Sequence, residues 1–221
     1  MARVNSLQRW FARRYRRRLL GAAAVAAALV ILRTWWGERI AGSPASPDDF
    51  SRYHDRRVQC VRVWDGDTID VDLPDLTARP ARAYTRIRLW GIDTPEVAHH
   101  GQPAMYFGPE AAAFARDLLD GQEVRLVLVA GRTRDCHGRL LAYVVLPDGR
   151  MYNRLALAEG LAYADRRFDH PQAAEFLELE GQARTVRAGL WRGVAGKDLP
   201  RWYPRQELRR ARRPAGVPAT T

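Results

Sequence analysis

The chain has 221 residues, 47% of them hydrophobic, and a formal net charge of +11. Such a composition can build one core and excludes disorder throughout. Two cysteines are too few for a disulfide-stapled scaffold or a four-cysteine zinc site. The charge is concentrated at the ends. Residues 1–42 hold nine Arg against one Glu, and residues 193–221 hold one Lys and six Arg against two acids, which leaves residues 43–192 two charges negative. The overall basicity is therefore no argument that the folded part binds nucleic acid.

Residues 1–18 form a basic segment with seven Arg and no acid, followed by an uncharged run from Leu19 to Leu32 and then Arg33, Thr34, Trp35 and Trp36. As a helix, residues 19–36 would reach roughly 27 Å, close to the ~30 Å hydrocarbon core of a bilayer, with Arg33 snorkelling outward. The tryptophan pair suits the membrane interface, and the arginine excess before the run places the N-terminus inside and the remainder outside. These features predict a single-pass transmembrane or signal-anchor helix in the cytoplasmic membrane, with the domain that follows it periplasmic or extracellular. A cleaved signal peptide that releases a secreted domain is the alternative, although the small-residue triplet Ser43-Pro44-Ala45 lies far beyond the apolar run and contains a proline. A soluble helix is a third reading.

Residues 43–57 read as a linker of Pro, Ser and charge without apolar periodicity. Strands are expected over 58–64, 68–73, 84–92, 123–129 and 139–146, and helices over 109–119, 151–159 and 171–187. The first helix opens at Gly108-Pro109-Glu110, where the missing N–H of proline costs nothing. Five short strands with one helix after the third suit an α+β domain over residues 58–192, a closed five-stranded Greek-key β-barrel of the OB-fold type with three packed helices. Residues 193–221, rich in Pro and Arg, read as a flexible basic tail.

The residues with chemical promise cluster at strand ends. Asp67 follows a D-G bend, Arg88 leads into Asp93-Thr94-Pro95-Glu96, and Arg139 lies in DCHGRLLAY. Asp67 and Asp93 could give two carboxylates, and Thr94 a carbonyl, to a hard divalent cation. Glu96 could orient or deprotonate a water. Arg88 and Arg139 carry planar forks that match phosphate oxygens. Together these groups suit attack of water on a phosphodiester, whereas each motif alone is ordinary turn or cap chemistry.

The blocks WDGDTIDV, RIRLWGIDTPE, YFGPEAAAFARDLL, RTRDCHGRLLAYVVLPDGRMYNRLALAEGLA and AGLW, in that order, resemble the staphylococcal nuclease (thermonuclease) family over residues 58–191. The resemblance implies an OB-fold and a Ca²⁺-dependent phosphodiesterase acting on DNA and RNA. Single-stranded segments are the expected best substrate, and the catalytic domain is expected to be monomeric. It further implies that Asp67, Asp93 and Thr94 hold the metal, that Glu96 is the general base, and that Arg88 and Arg139 bind phosphate. Cleavage of the bond to the 5′ oxygen, leaving 3′-phosphates, is the expected outcome. The chain departs from the family where nucleotides bind. His137 replaces a stacking tyrosine and Cys136 a lysine, and in YADRRF a pair of tyrosines is missing, so that Tyr163 or Phe168 would have to substitute. The connection between the second and third strands is also longer.

Two rival readings remain. One is a catalytically silent OB module, tethered to the membrane, that binds nucleic acid or protein. The other is a membrane assembly factor whose arginine-rich ends do the work. Retention of every acidic and arginine position favours the enzyme over both.

Overall fold

Short Val-, Ile- and Leu-rich segments, some alternating in burial and some buried throughout, build the sheet. In a computed structural model of the chain, residues 47–78, 80–98 and 101–203 are described; the basic segment 1–18, the expected membrane-spanning segment 19–36 and the tail beyond residue 203 lie outside them. Strands β1 (Arg57–Val63), β2 (Thr68–Val71) and β3 (Thr85–Leu89) form an antiparallel meander. After the two-residue strand β4 (Ile92–Asp93) and helix α2 (Gly108–Leu119), strands β5 (Glu123–Val127) and β6 (Leu140–Val145) follow. The strand order β1-β2-β3-β6-β5 closes into a barrel, with β3 and β6 parallel. Closure removes the unpaired edges that an open five-stranded sheet would expose.

Ile69, Val71, Ile87, Leu89, Val124, Leu126 and Leu140 point inward and are buried. Helix α2 lays Ala111, Ala112, Ala115 and Leu119 toward this core, and its first turn accommodates Pro109 without losing a hydrogen bond. Helices α3 (Tyr152–Ala158) and α4 (Ala173–Thr185) pack on each other, joined through β7 (Tyr163–Ala164), and a 3₁₀ turn covers Gly189–Arg192. The barrel and these three helices match the expectation from sequence.

Three segments differ from it. Residues 47–53, expected as linker, form helix α1 (Pro47–Tyr53). The segment is Pro, Ser and charge without an apolar period, and the helix is fixed by distant partners: Tyr53 is fully buried and donates to the Pro74 carbonyl at 3.2 Å. The expected strand over 84–92 stops at Leu89 because Gly91 turns the chain with φ +80°, after which Ile92 and Asp93 pair with Ala164 and Tyr163. Residues 193–203 of the expected flexible tail fold back on the domain, where Val194, Leu199 and Tyr203 join a second apolar cluster with Tyr163, Ala183, Leu190 and Trp191. The anchors are spaced irregularly among Pro, Gly and charged residues, so no periodic signal marks them. Among the described residues no helix is long and apolar enough to cross a membrane.

Candidate active site

Asp67 sits where the hairpin loop enters β2 and is 5% exposed. Its Oδ2 accepts hydrogen bonds from the backbone N–H of Thr94 at 2.8 Å and from the Thr94 hydroxyl at 3.1 Å, while Oδ1 accepts from the Thr68 hydroxyl at 3.0 Å. Gly66 permits this approach, since a Cβ there would lie 2.7–2.9 Å from the Thr94 side chain. Asp65 Oδ1 caps the loop by accepting from the Asp67 N–H at 2.9 Å. Burial pushes the Asp65 carboxyl upward, against the pull of Arg88.

The β2–β3 register places Arg88 opposite Thr68, beside Asp67. One arm of the guanidinium contacts Asp67 Oδ1, and the other reaches Asp93 Oδ1 at 2.5 Å. Two carboxylates separated by 26 residues in the chain thus meet on one arginine. The short β4–β7 pairing holds Asp93 in place.

Arg139 precedes β6, which runs parallel to β3. Its Nη1 lies 3.4 Å from the Thr68 hydroxyl, and Asp135 grips its Nε at 2.7 Å and its backbone N–H at 2.9 Å. His137 is exposed on the same turn, with its N–H bonded to Asp135 Oδ1 at 2.9 Å. Glu96 is exposed two residues beyond Thr94. Its backbone carbonyl accepts from the Met105 N–H at 2.9 Å and packs so closely on Gly108 that a Cβ there would come within 2.2 Å of it. This contact ties the segment carrying Glu96 to the start of α2.

The structure therefore brings Asp67, Arg88, Asp93 and Thr94 together, with Arg139 adjoining through Thr68. Tyr163 is a correction. Both residues of β7 are buried, and Tyr163 is fully enclosed by Trp191, Trp202 and Tyr203, so it offers no face to a substrate. Burial pushes its phenol well above the ordinary range. Cys60 is buried and Cys136 exposed, and both are free thiols. Trp90 lies in the core, whereas Trp64 lies on the outside of the barrel between the guanidiniums of Arg62 and Arg86.

Two groups beside Asp93 escaped the sequence reading. Arg167 donates to Asp93 Oδ1 at 3.0 Å and to both oxygens of Asp165 at 2.8 Å. The indole N–H of Trp202 donates to Asp93 Oδ2 at 2.9 Å. The arginine pair in YADRRF is the one signal that could have suggested Arg167. Nothing in the sequence around Trp202 marks it.

Among the described residues no three His, Cys, Asp or Glu side chains gather as a ready-made metal cage. A cation held by Asp67 and Asp93 would complete its shell with carbonyl and water oxygens, which hard divalent ions accept. The donor set fits such an ion in charge as well. Around the three guanidiniums of Arg88, Arg139 and Arg167 stand the carboxylates of Asp65, Asp67, Asp93, Asp135 and Asp165.

The family described as "Staphylococcal nuclease homologue" matches residues 86–193. The chain is 35% identical over 156 residues to a micrococcal nuclease of Shigella flexneri, covering 67% of this chain and 80% of that protein. It is 31% identical over 149 residues to a thermonuclease of Staphylococcus hyicus, covering 67% and 83%. A thermonuclease of Staphylococcus intermedius is 40% identical over 103 residues, covering 47% and 56%. With this barrel, this cluster of acids and arginines, and these relatives, the chain belongs to the staphylococcal nuclease family and is a nuclease, a hydrolase of phosphodiester bonds.

Proposed function

We propose that the chain is a Ca²⁺-dependent nuclease that cleaves DNA or RNA by attack of water on the phosphodiester, from a domain tethered outside the cytoplasmic membrane. The observation that carries the chemistry is the Arg88 guanidinium in contact with both Asp67 and Asp93. It gathers two hard oxygen donors and a phosphate-binding fork in one place. Asp67 and Asp93, with the Thr94 carbonyl, would hold the ion; when bound, it supplies charge neutralisation and polarises a phosphoryl oxygen.

The chain's own residues do the rest. Glu96, exposed two residues beyond Thr94, takes a proton from the attacking water. Arg88 and Arg139 present N–H donors to the nonbridging oxygens and stabilise the charge that grows in the transition state. Thr94 and Thr68 hold the Asp67 carboxylate in register through three hydrogen bonds. His137, exposed two residues before Arg139, would contact the nucleotide. Against the silent-module alternative stand the retained acids and arginines and the contact of Arg88 with both Asp67 and Asp93.

The test uses the full chain with single-stranded DNA, duplex DNA and RNA. Cleavage should require Ca²⁺ and stop in excess EDTA. Glu96→Gln should keep the fold and lower kcat by about 10²–10⁴-fold, the usual weight of a general base. Cleavage that persists in EDTA, or full activity of the variant, would sink this mechanism.

A further inference from the structure

Asp93 is gripped by donors from three separate parts of the chain: Arg88 on β3, Arg167 beyond β7, and Trp202 on the segment that follows the 3₁₀ turn. Arg88 and Arg167 both use Oδ1, while Trp202 alone among these three donates to Oδ2. The arginines bring positive charge, which opposes a cation at the same carboxylate. Trp202 brings a neutral N–H, which fixes the direction of the carboxylate without adding charge. Arg167 also lies 4.9 Å from the Trp202 ring, so the two groups brace each other against Asp93.

The segment carrying Trp202 is firmly seated. Its neighbour Tyr203 is 2% exposed, its hydroxyl donates to Glu180 Oε1, and it accepts from Arg184 Nη1 at 3.3 Å. Val194 and Leu199 are buried in the same apolar cluster, and the Trp202 ring packs edge-on against Tyr163. A hydrogen bond held by a buried anchor one residue away is well suited to orient a ligating carboxylate.

We propose that Trp202 is a positioning residue for Asp93, so that high affinity for a divalent cation depends on the 194–203 segment being docked. The inference rests on the Asp67/Asp93 cation site of the preceding section. Outer partners of metal ligands are typically worth 10–100-fold in affinity.

The experiment titrates Ca²⁺ into the full chain by calorimetry and follows thermal unfolding in parallel. Trp202→Phe keeps an aromatic ring against Tyr163 and Tyr203 but removes the N–H. It should weaken Ca²⁺ binding roughly tenfold or more, with a melting midpoint near that of the parent. Trp191→Phe is the control, since Trp191 belongs to the same cluster and its indole N–H has no hydrogen-bond partner among the described residues. That variant should bind Ca²⁺ as the parent does. Unchanged affinity in Trp202→Phe overturns the inference while leaving the cation site intact. Equal weakening in both variants also overturns it, because the effect would then come from cluster packing. If the parent chain itself binds no Ca²⁺, the cation site and this inference fall together.

Discussion

His170 lies 7% exposed beside Trp90, Tyr143 and Phe176, with Nδ1 2.9 Å from the Tyr143 hydroxyl. Burial holds its pKa below the ordinary 6.5, and the nearby Asp165 and Asp169 only partly offset that. The unfolded chain therefore takes up a proton that the folded chain resists. The contribution of His170 to stability is complete above pH 6.5 and is lost as pH falls through its depressed folded value. In urea titrations at a series of pH values below neutrality, His170→Gln should show a flatter loss of stability than the parent. An identical slope would remove His170 as a source of acid sensitivity. At this scale the sequence was informative where neighbours in a motif act together, as in Asp93-Thr94. It was silent where partners are distant: Arg167 and Trp202 reach Asp93 across 74 and 109 residues. Tyr163 was misplaced for a related reason, because burial on both faces of a two-residue strand leaves no alternation to read.

Between elements, the main polar tie is Arg134. Its guanidinium is buried between Asp49 of α1 and Asp75 of the β2–β3 connection, with contacts of 2.8–3.1 Å to each. Burial opposes its charge, but the two carboxylates more than compensate and raise its pKa above the ordinary value. Asp75 also binds the Thr77 hydroxyl at 2.8 Å, and the Arg134 Nη1 donates to the Gly138 carbonyl at 2.7 Å, in the loop that ends at Arg139. Replacing Arg134 with Met would strand two buried carboxylates and should cost about 3–5 kcal/mol, read from chemical denaturation. Adding Asp49→Asn and Asp75→Asn to that variant should recover a large part of the loss. A cost below about 1 kcal/mol for Arg134→Met would show the triad to be solvated in practice. The five barrel strands and helices α2, α3 and α4 were visible in advance from short runs rich in branched apolar residues and from the turn residues that bound them, such as Pro109 and Gly160. Helix α1 was not, since it is specified by Asp49 and Tyr53 meeting residues far along the chain.

For the whole molecule, the distribution of charge separates the roles of its parts. The middle of the chain is two charges negative, and the excess of arginine over acid lies at the two ends. The membrane proposal belongs to residues 1–36, outside the described region, and is tested on the whole chain. On cell fractionation the full-length protein should sediment with membranes and be released by detergent but not by high salt. A chain lacking residues 1–42 should remain in the soluble fraction. Release of the full-length protein by salt alone would point to electrostatic attachment through the arginines and against a spanning helix.

The place of Trp202 in the chain bears on how such an enzyme is made. During synthesis, Asp67, Arg88, Asp93, Glu96 and Arg139 all leave the ribosome before the indole that steadies Asp93. If that indole raises the affinity for a cation, the emerging polypeptide holds the ion more weakly, and full cutting power arrives only when the late segment has docked.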